Sequence, residues 1–287
     1  MFGFLKRLVP ARWQSSNTVI PVVRLQGVIA SGGGALRQNL SLASTVAQIE
    51  KAFAYKAAPA VAFAINSPGG SPVQSRLIYK RIRDLAAEKN KRVYVFVEDV
   101  AASGGYLIAL AGDEIIADPS SVVGSIGVIS ASFGFPELLK KIGVERRVHT
   151  AGGNKSILDP FKPEKKEDVQ RLKELQLEIH GVFIDLVKER RTGRLAENED
   201  LFTGMFWTGL RGKELGLVDH LGDMRSFLRD RYGDKVKLQL VSPQRGFFGR
   251  RIAALRGGSD PAQIAAHAAS GLADVMEERA HWSRFGL

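Results

Sequence analysis

The sequence predicts an α/β fold in which helices cover a mainly parallel sheet. Short apolar runs such as Val61–Ile65 and Val93–Val97 are typical of strands buried on both faces. Helical segments follow these runs in turn, and such alternation is typical of parallel sheets. The chain has 287 residues, of which 45% are hydrophobic and 25% charged, so it is long enough to bury a core and has an ordinary globular composition.

The predicted elements alternate along the chain from residue 19 to residue 241. Strands are predicted at Val19–Leu25, Val61–Ile65, Val93–Val97, Glu114–Ala117, Val122–Ile129, Val144–His149 and Val236–Val241. Helices are predicted at Leu42–Ala54, Pro72–Glu88, Ser103–Ala111, Phe135–Ile142 and Leu210–Asp219. Ser41 is a suitable N-cap for the first of these helices. A long helix is predicted to begin at Pro163, with an apolar stripe that packs on the sheet or on another subunit.

One domain is predicted over residues 18–241, with a basic segment on either side. Residues 1–17 are basic and amphipathic, which fits either a segment lying on a membrane surface or a frayed terminus. Residues 242–287 are basic and alanine-rich, which fits either a surface-binding or inter-subunit element or a solvated extension.

Composition excludes several classes of function. The chain has no cysteine, which excludes a disulfide scaffold, a thiolate metal site and a cysteine nucleophile. The five histidines are dispersed without metal-ligand spacing, and there is neither a phosphate-binding loop nor a dinucleotide fingerprint, so we expect no metal and no cofactor. The net charge of +11 favours anionic partners. Because no nucleic-acid-binding motif accompanies it, we expect no nucleic acid.

The sequence contains no run of about 20 apolar residues and no recognisable signal peptide. We therefore expect a cytoplasmic protein. The basic ends suggest in addition a peripheral contact with the inner membrane.

Three clusters of glycine and serine lie at or near predicted strand ends. They are Asn66–Gly70 (NSPGG), Ala101–Tyr106 (AASGGY) and Gly124–Val128 (GSIGV). Paired glycines let backbone N–H groups approach a ligand oxygen. A sharp strand-to-helix turn exposes the hydroxyl of a serine, and nucleophilic serines are typically found at such turns. Because loops at the same ends of parallel strands meet, the three clusters are expected to form one crevice.

A nucleophilic serine needs a base, and these clusters contain no histidine. Lysine is the alternative, provided that its pKa falls from about 10.4 toward about 7–8 through burial and the absence of carboxylates. Lys155 lies among small, uncharged residues in the segment TAGGNKS, unlike most other lysines of the chain. Without the serine clusters it would be interpreted as an exposed loop lysine.

Together, NSPGG, ASGGY, GSIGV and Lys155 resemble the signal peptide peptidase A family of serine peptidases. The segments Trp207–Gly209 and Leu215–Asp219 resemble that family as well, so the resemblance runs from about Val19 to Gly222. It implies a crotonase-like α/β spiral, as in Clp protease.

The resemblance also implies roles for individual residues. Ser103 matches the nucleophile, Lys155 the general base and Ser125 the serine that orients the lysine. The N–H groups of Gly70 and Gly104 match the oxyanion hole, and Gly69 shapes its turn.

For short members of the family the resemblance further implies a ring-shaped homo-oligomer that shares its active sites between subunits. The implied substrates are hydrophobic peptides, such as cleaved signal peptides, bound in extended form.

Two other functions stay open at this point. One is a crotonase-type acyl-CoA enzyme, which would need a carboxylate near the serine; the nearest are Glu98 and Asp99. The other is a non-catalytic scaffold at a membrane surface, against which the presence of Ser103, Ser125 and Lys155 argues.

Overall fold

An eight-stranded sheet forms the centre of the protein. The computed structural model describes residues 18–32, 39–242 and 279–286. The strands are β1 (Val19–Gln26), β2 (Ala60–Ser67), β3 (Arg92–Ala102), β4 (Glu114–Ala117), β5 (Val122–Gly124), β6 (Phe206–Thr208), β7 (His220–Leu221) and β8 (Lys237–Leu240). The helices are α1 (Leu42–Phe53), α2 (Pro72–Lys89), α3 (Gly104–Ala109), α4 (Pro136–Lys141), α5 (Lys166–Arg190), α6 (Gly209–Glu214) and α7 (Met224–Tyr232). A 3-10 helix spans Glu199–Phe202.

The sheet is parallel except at one edge. Its main path runs β6-β5-β3-β2-β1-β8, and only the β5–β6 pair is antiparallel. All eight residues of β2 are buried, which is what a central parallel strand with both faces covered requires. The predicted α/β fold with a mainly parallel sheet is confirmed, and its form is consistent with a crotonase-like fold.

Strand β3 is long enough to pair with two different neighbours on one side. Its first part, at Tyr94–Val97, pairs with β4, and its last part, at Val100–Ala102, pairs with β5. Because β5 joins so late, the end of β5 lies beside the end of β3. This branching brings the loops that follow the two strands together.

Helices cover both faces of the sheet. On one face α1, α2, α3 and α5 contribute to the larger core, for example through Phe53, Ile78 and Val187. On the other face α7 packs Leu228 against the sheet, and the ring of Phe227 lies edge-on to those of Tyr94 and Phe96. Burial of these apolar side chains on both faces is the main favourable contribution to folding.

Besides the helix predicted at Leu210–Asp219, which ends at Glu214 because Gly216 has a positive φ of 77°, three predicted elements differ from the structure. The strand expected at 122–129 ends at Gly124, because Gly124 and Ser125 have positive φ angles of 100° and 52°. The segment Val144–His149 forms no strand, since it is exposed for most of its length and pairs with no other described strand. The long helix begins at Lys166, and Pro163 lies in the loop before it.

The terminal predictions fall largely outside the described residues. These are the segment 1–17 and most of the extension 242–287, including the predicted helix from Pro261. Within the described part of the extension, the ring of Phe285 packs edge-on against Phe206 at 5.1 Å. No helix in the described ranges combines the length and the apolar character needed to cross a membrane.

A buried ion pair fastens the end of α5 to the segment before β7. Arg191 is 2% exposed and donates two hydrogen bonds to the carboxylate of Asp219, at 2.8 and 3.0 Å. Arg191 Nε donates to the carbonyl oxygen of Gly216 at 2.7 Å, and Asp219 also accepts the N–H of Ile115. Burial alone would raise the pKa of Asp219, but these hydrogen bonds and the arginine charges outweigh burial, so its pKa lies below the usual range.

We predict that Asp219→Asn lowers the free energy of unfolding by about 3 kcal/mol at neutral pH, because it leaves the buried guanidinium of Arg191 without a counter-charge. A carboxylate with a depressed pKa stabilises fully above its unfolded-state pKa of about 3.9 and loses this contribution as pH falls through the native value. The difference between wild type and variant should therefore shrink below about pH 4. Urea unfolding at several pH values measures it.

Asp234→Asn is the matched control, because Asp234 is 86% exposed and pairs with Arg229 at the surface. Its expected effect is below about 1 kcal/mol. Equal losses from the two variants would contradict a stabilising role for the buried pair.

Candidate active site

Ser103 occupies the turn between β3 and α3 in a strained backbone conformation. Its φ is 51° and its ψ is −121°, which non-glycine residues seldom adopt. Its N–H donates to the carbonyl oxygen of Gly124 at 2.8 Å, so the turn is tied to the end of β5. The Ser103 side chain makes no capping hydrogen bond to α3. A serine held in this way presents its hydroxyl at the end of the sheet.

The loop Gly69–Gly70 lies directly against this turn. A Cβ atom added to Gly69 would lie 2.8 Å from the Cβ of Ser103 and 2.9 Å from the N atom of Gly104. One added to Gly70 would overlap the carbonyl of Ile29. Since the φ angles of Gly69 and Gly70 are also 107° and 135°, both space and conformation require glycine here.

Two backbone N–H groups come together beside Ser103. The N atom of Gly70 lies 3.4 Å from the position of a Cβ added to Gly104. Within the described residues, neither the N–H of Gly70 nor that of Gly104 has a hydrogen-bond acceptor. Adjacent N–H groups that are fixed by the backbone and still free to donate are what an oxyanion hole needs.

Ser125 is brought close to this cluster by the pairing of β3 with β5. It follows Gly124, whose carbonyl accepts the N–H of Ser103, and its own N–H donates to Met205 at 2.7 Å. Ser125 is 4% exposed and, like Ser103, has a positive φ, of 52°. The structure thus brings together five of the six predicted site residues: Gly69, Gly70, Ser103, Gly104 and Ser125.

Lys155, the sixth, is placed elsewhere in this chain. It lies exposed in a turn, where its N–H donates to the carbonyl oxygen of Gly152 at 3.2 Å. Among the described residues around the Ser103 cavity, Lys155 is not one of those that form its wall. The turn belongs to residues 129–165, which we name the projecting segment because most of its residues are exposed.

A cavity of about 240 Å³ opens beside Ser103 and is almost entirely apolar. Leu107 of α3, Val128 after β5 and Phe183 of α5 contribute to its wall, and α2 contributes Val73 and Arg76. A cavity of this size accepts one apolar side chain. The cavity lies directly beside Ser103, which is itself one of its lining residues.

Sequence reasoning missed the part that α5 plays in this site. Its apolar stripe was expected only to pack, yet Ile179, Val182 and Phe183 line the cavity. His180 on the same helix makes a 3.0 Å hydrogen bond to the carbonyl oxygen of Ile126, directly after Ser125. The available signal was a histidine inside an amphipathic stripe, which does not by itself specify a partner.

Two other polar side chains of the motifs have structural partners. Tyr106 is fully buried and its hydroxyl donates to the carbonyl of Leu217 at 2.9 Å; burial raises the pKa of Tyr106. Asn66 donates to the carboxylate of Asp99 at 2.6 Å and accepts the N–H of Val100, which supports the irregular end of β3. These contacts shape the loops around Ser103.

Residues 86–235 match the model of peptidase family S49. The chain belongs to this family. A putative protease of Synechocystis sp. is 33% identical over 233 residues, which cover 79% of this chain and 80% of that protein. A putative signal peptide peptidase SppA of Enterococcus faecium is 29% identical over 211 residues, covering 72% of this chain and 61% of that protein.

A longer relative covers nearly the whole chain. The Na⁺/H⁺ antiporter NhaA of Brucella abortus is 69% identical over 288 residues, which is 99% of this chain and 39% of the antiporter. The chain therefore spans about two fifths of that relative. The S49 match contains Ser103, Ser125 and Lys155, and the resemblance seen in the sequence to the signal peptide peptidase A family is confirmed.

We predict that Gly69→Ala disrupts the Ser103 turn, because the added methyl group would meet Ser103 and Gly104 at contact distances that proteins do not tolerate. The expected cost is about 1–3 kcal/mol of unfolding free energy. The labelling rate of Ser103 by a fluorophosphonate probe should fall at least about tenfold, since the turn aims the hydroxyl.

Gly181→Ala provides the control, since a Cβ added there meets no atom within 4 Å and lies inside α5. It should stabilise the protein by up to about 1 kcal/mol and leave labelling unchanged. Labelling of Gly69→Ala at the wild-type rate would show that the turn does not depend on this glycine.

Proposed function

We propose that this chain is a serine endopeptidase with Ser103 as its nucleophile. The observation that carries the proposal is the strained turn that holds Ser103 beside the N–H groups of Gly70 and Gly104, which have no acceptor among the described residues. Membership of the S49 family supports a peptide bond as the bond attacked. The names of the relatives from Synechocystis and Enterococcus point to the same chemistry.

In the proposed reaction, the Ser103 Oγ attacks the peptide carbonyl carbon. The carbonyl oxygen takes up the negative charge between the N–H groups of Gly70 and Gly104, which are already oriented and need not reorganise. Lys155 Nζ accepts the hydroxyl proton and then donates it to the leaving amine as the C–N bond breaks. Water hydrolyses the acyl-enzyme by the same steps. Ser125 has the proposed role of orienting the lysine.

We assign hydrophobic peptides to the site as substrates. The cavity beside Ser103 is apolar, with Leu107, Val128 and Phe183 in its wall, and so favours an apolar side chain. Cleaved signal peptides have this character, and the relative from Enterococcus is named for them.

The location of Lys155 supports a dyad that forms between subunits. Lys155 lies in the projecting segment, which also exposes large apolar residues. Those more than half exposed are Ile129, Phe133, Leu138, Ile142 and Val144. Apolar residues exposed together are typical of surfaces that a partner covers. We propose a homo-oligomeric ring in which this segment carries Lys155 to the Ser103 of a neighbouring subunit.

The charges around Ser103 favour a peptidase over an acyl-CoA enzyme. The latter would need a carboxylate as acid or base, and no carboxylate is among the described residues of the cavity wall. The candidates nearest to Ser103 along the chain are Glu98 and Asp99. Glu98 pairs with Arg24 at 2.9 Å, and Asp99 accepts a hydrogen bond from Asn66. Both carboxylates therefore already have partners.

We propose from the charge of the chain that the protein acts at a membrane surface. The net charge of +11 supports contact with an acidic surface such as the cytoplasmic leaflet of the inner membrane. The name antiporter describes the whole Brucella protein, of which this chain covers 39%. We base the proposed function on the S49 match, because it contains the residues of the site.

We predict that Ser103→Ala and Lys155→Ala each lower the cleavage of an apolar fluorogenic peptide on the order of 10³-fold or more, since one removes the nucleophile and the other its base. Both should also abolish labelling by a fluorophosphonate probe. Lys162→Ala is the matched control, because Lys162 is another exposed lysine of the projecting segment. Substantial cleavage by either single variant would exclude the dyad.

We further predict that mixing the two inactive variants restores activity if the dyad forms between subunits. A subunit with Lys155→Ala then supplies Ser103 to a neighbour with Ser103→Ala that supplies Lys155. In a randomly mixed ring about a quarter of the sites are complete. Reassembly from dilute subunits and an activity assay measure this fraction. A mixture as inactive as its components would place both residues in one chain.

A further inference from the structure

One charged side chain stands in the wall of the cavity beside Ser103. Arg76 lies on α2, and every other described residue of that wall is uncharged. Nothing in the proposed peptidase mechanism uses it. Because the cavity surface is almost entirely apolar and Arg76 is exposed, Arg76 contributes chiefly its aliphatic stem to the wall and keeps its guanidinium toward solvent.

Arg76 also differs from the basic residues that follow it on α2. Those residues have carboxylate partners within the chain: Lys80 with Asp84, Arg81 with Glu50, Arg83 with Asp113 and Lys89 with Glu88. Within the described residues, Arg76 has neither an ion pair nor a hydrogen bond. Arg76 is exposed and, with respect to the described residues, its guanidinium has all of its donors available.

The group that such a site binds best is a carboxylate. A guanidinium stays charged at all relevant pH values and binds a carboxylate through two parallel hydrogen bonds. A peptide whose apolar side chain lies against Leu107, Val182 and Phe183 would bring its neighbouring groups toward this exposed guanidinium.

We propose that Arg76 is a specificity residue that selects peptides with a carboxylate beside the apolar residue held in the cavity. This inference rests on the proposed function of the Ser103 site. The carboxylate has two sources in a peptide, an acidic side chain near the cleaved bond or the free C-terminus of a short fragment. The first would give a preference for sequence, the second a preference for short products of an earlier cleavage.

The test uses matched fluorogenic peptides with one apolar core. Glutamate or glutamine stands at each position next to the cleaved bond, and each peptide ends in a carboxylate or an amide. Wild-type protein should show a kcat/KM about tenfold higher for one carboxylate peptide than for its neutral match. The pair that shows the difference identifies the source of the carboxylate.

Substitutions then connect this preference to Arg76. Arg76→Gln should remove the difference within the matched pair, and Arg76→Lys should keep part of it, because lysine retains the charge without the paired donors. Arg81→Gln, on the same helix but outside the cavity wall, should leave the ratio as in wild type. A merely structural role of Arg76 would change both members of a pair equally.

Binding separates this proposal from the peptidase assignment. The same peptides are titrated into Ser103→Ala with and without Arg76→Gln, and fluorescence anisotropy measures their affinity. If wild type cleaves nothing but the carboxylate preference in binding still depends on Arg76, only the peptidase assignment fails. If binding and cleavage show no carboxylate preference, or one that Arg76→Gln leaves intact, the role of Arg76 is overturned.

Discussion

The hydrogen bond from the N–H of Ser103 to the carbonyl of Gly124 is the contact on which the site depends. It ties a strained turn after β3 to the end of β5, in a region where both Ser103 and Ser125 have positive φ angles. Each strained serine costs on the order of 1–3 kcal/mol, so the surrounding structure must hold it in place. That hold comes from the short β5 strand, which pairs with β3 on one side and with β6 on the other.

Sheet topology explains why the three glycine-serine motifs converge. Because β3 pairs first with β4 and only near its end with β5, the loops after β2, β3 and β5 open at one place. Gly69 and Gly70 allow close backbone contacts at this place because they carry no side chain. Gly69 lets the loop after β2 touch the Ser103 turn, and Gly70 lets it pass over the backbone of Ile29. With a side chain at either position, the two N–H groups beside Ser103 would be pushed apart.

Much of this arrangement could be predicted from local patterns. The buried strands β2, β3 and β4, the N-cap at Ser41 and the convergence of the motifs follow from apolar runs and from glycines at strand ends. What could not be predicted depends on distant contacts. The β-branched residues of Val144–His149 favour a strand, but no described strand lies beside them to complete one. The role of α5 in the cavity depends on the angle at which it crosses α3, which the period of its apolar stripe does not specify.

The distribution of charge around Ser103 connects fold and function. The two carboxylates nearest to Ser103 along the chain have partners: Glu98 pairs with Arg24, and Asp99 accepts a hydrogen bond from Asn66. The described residues of the cavity wall include no carboxylate. A base brought beside Ser103 would therefore meet no fixed anion among the described residues of this wall. Arg76 is the charged residue that the described wall does contain. One arrangement therefore suits both a base that accepts the proton of Ser103 and a peptide that carries a carboxylate. The first requirement concerns the reaction and the second the choice of substrate, and both depend on a wall whose described residues include no acidic side chain.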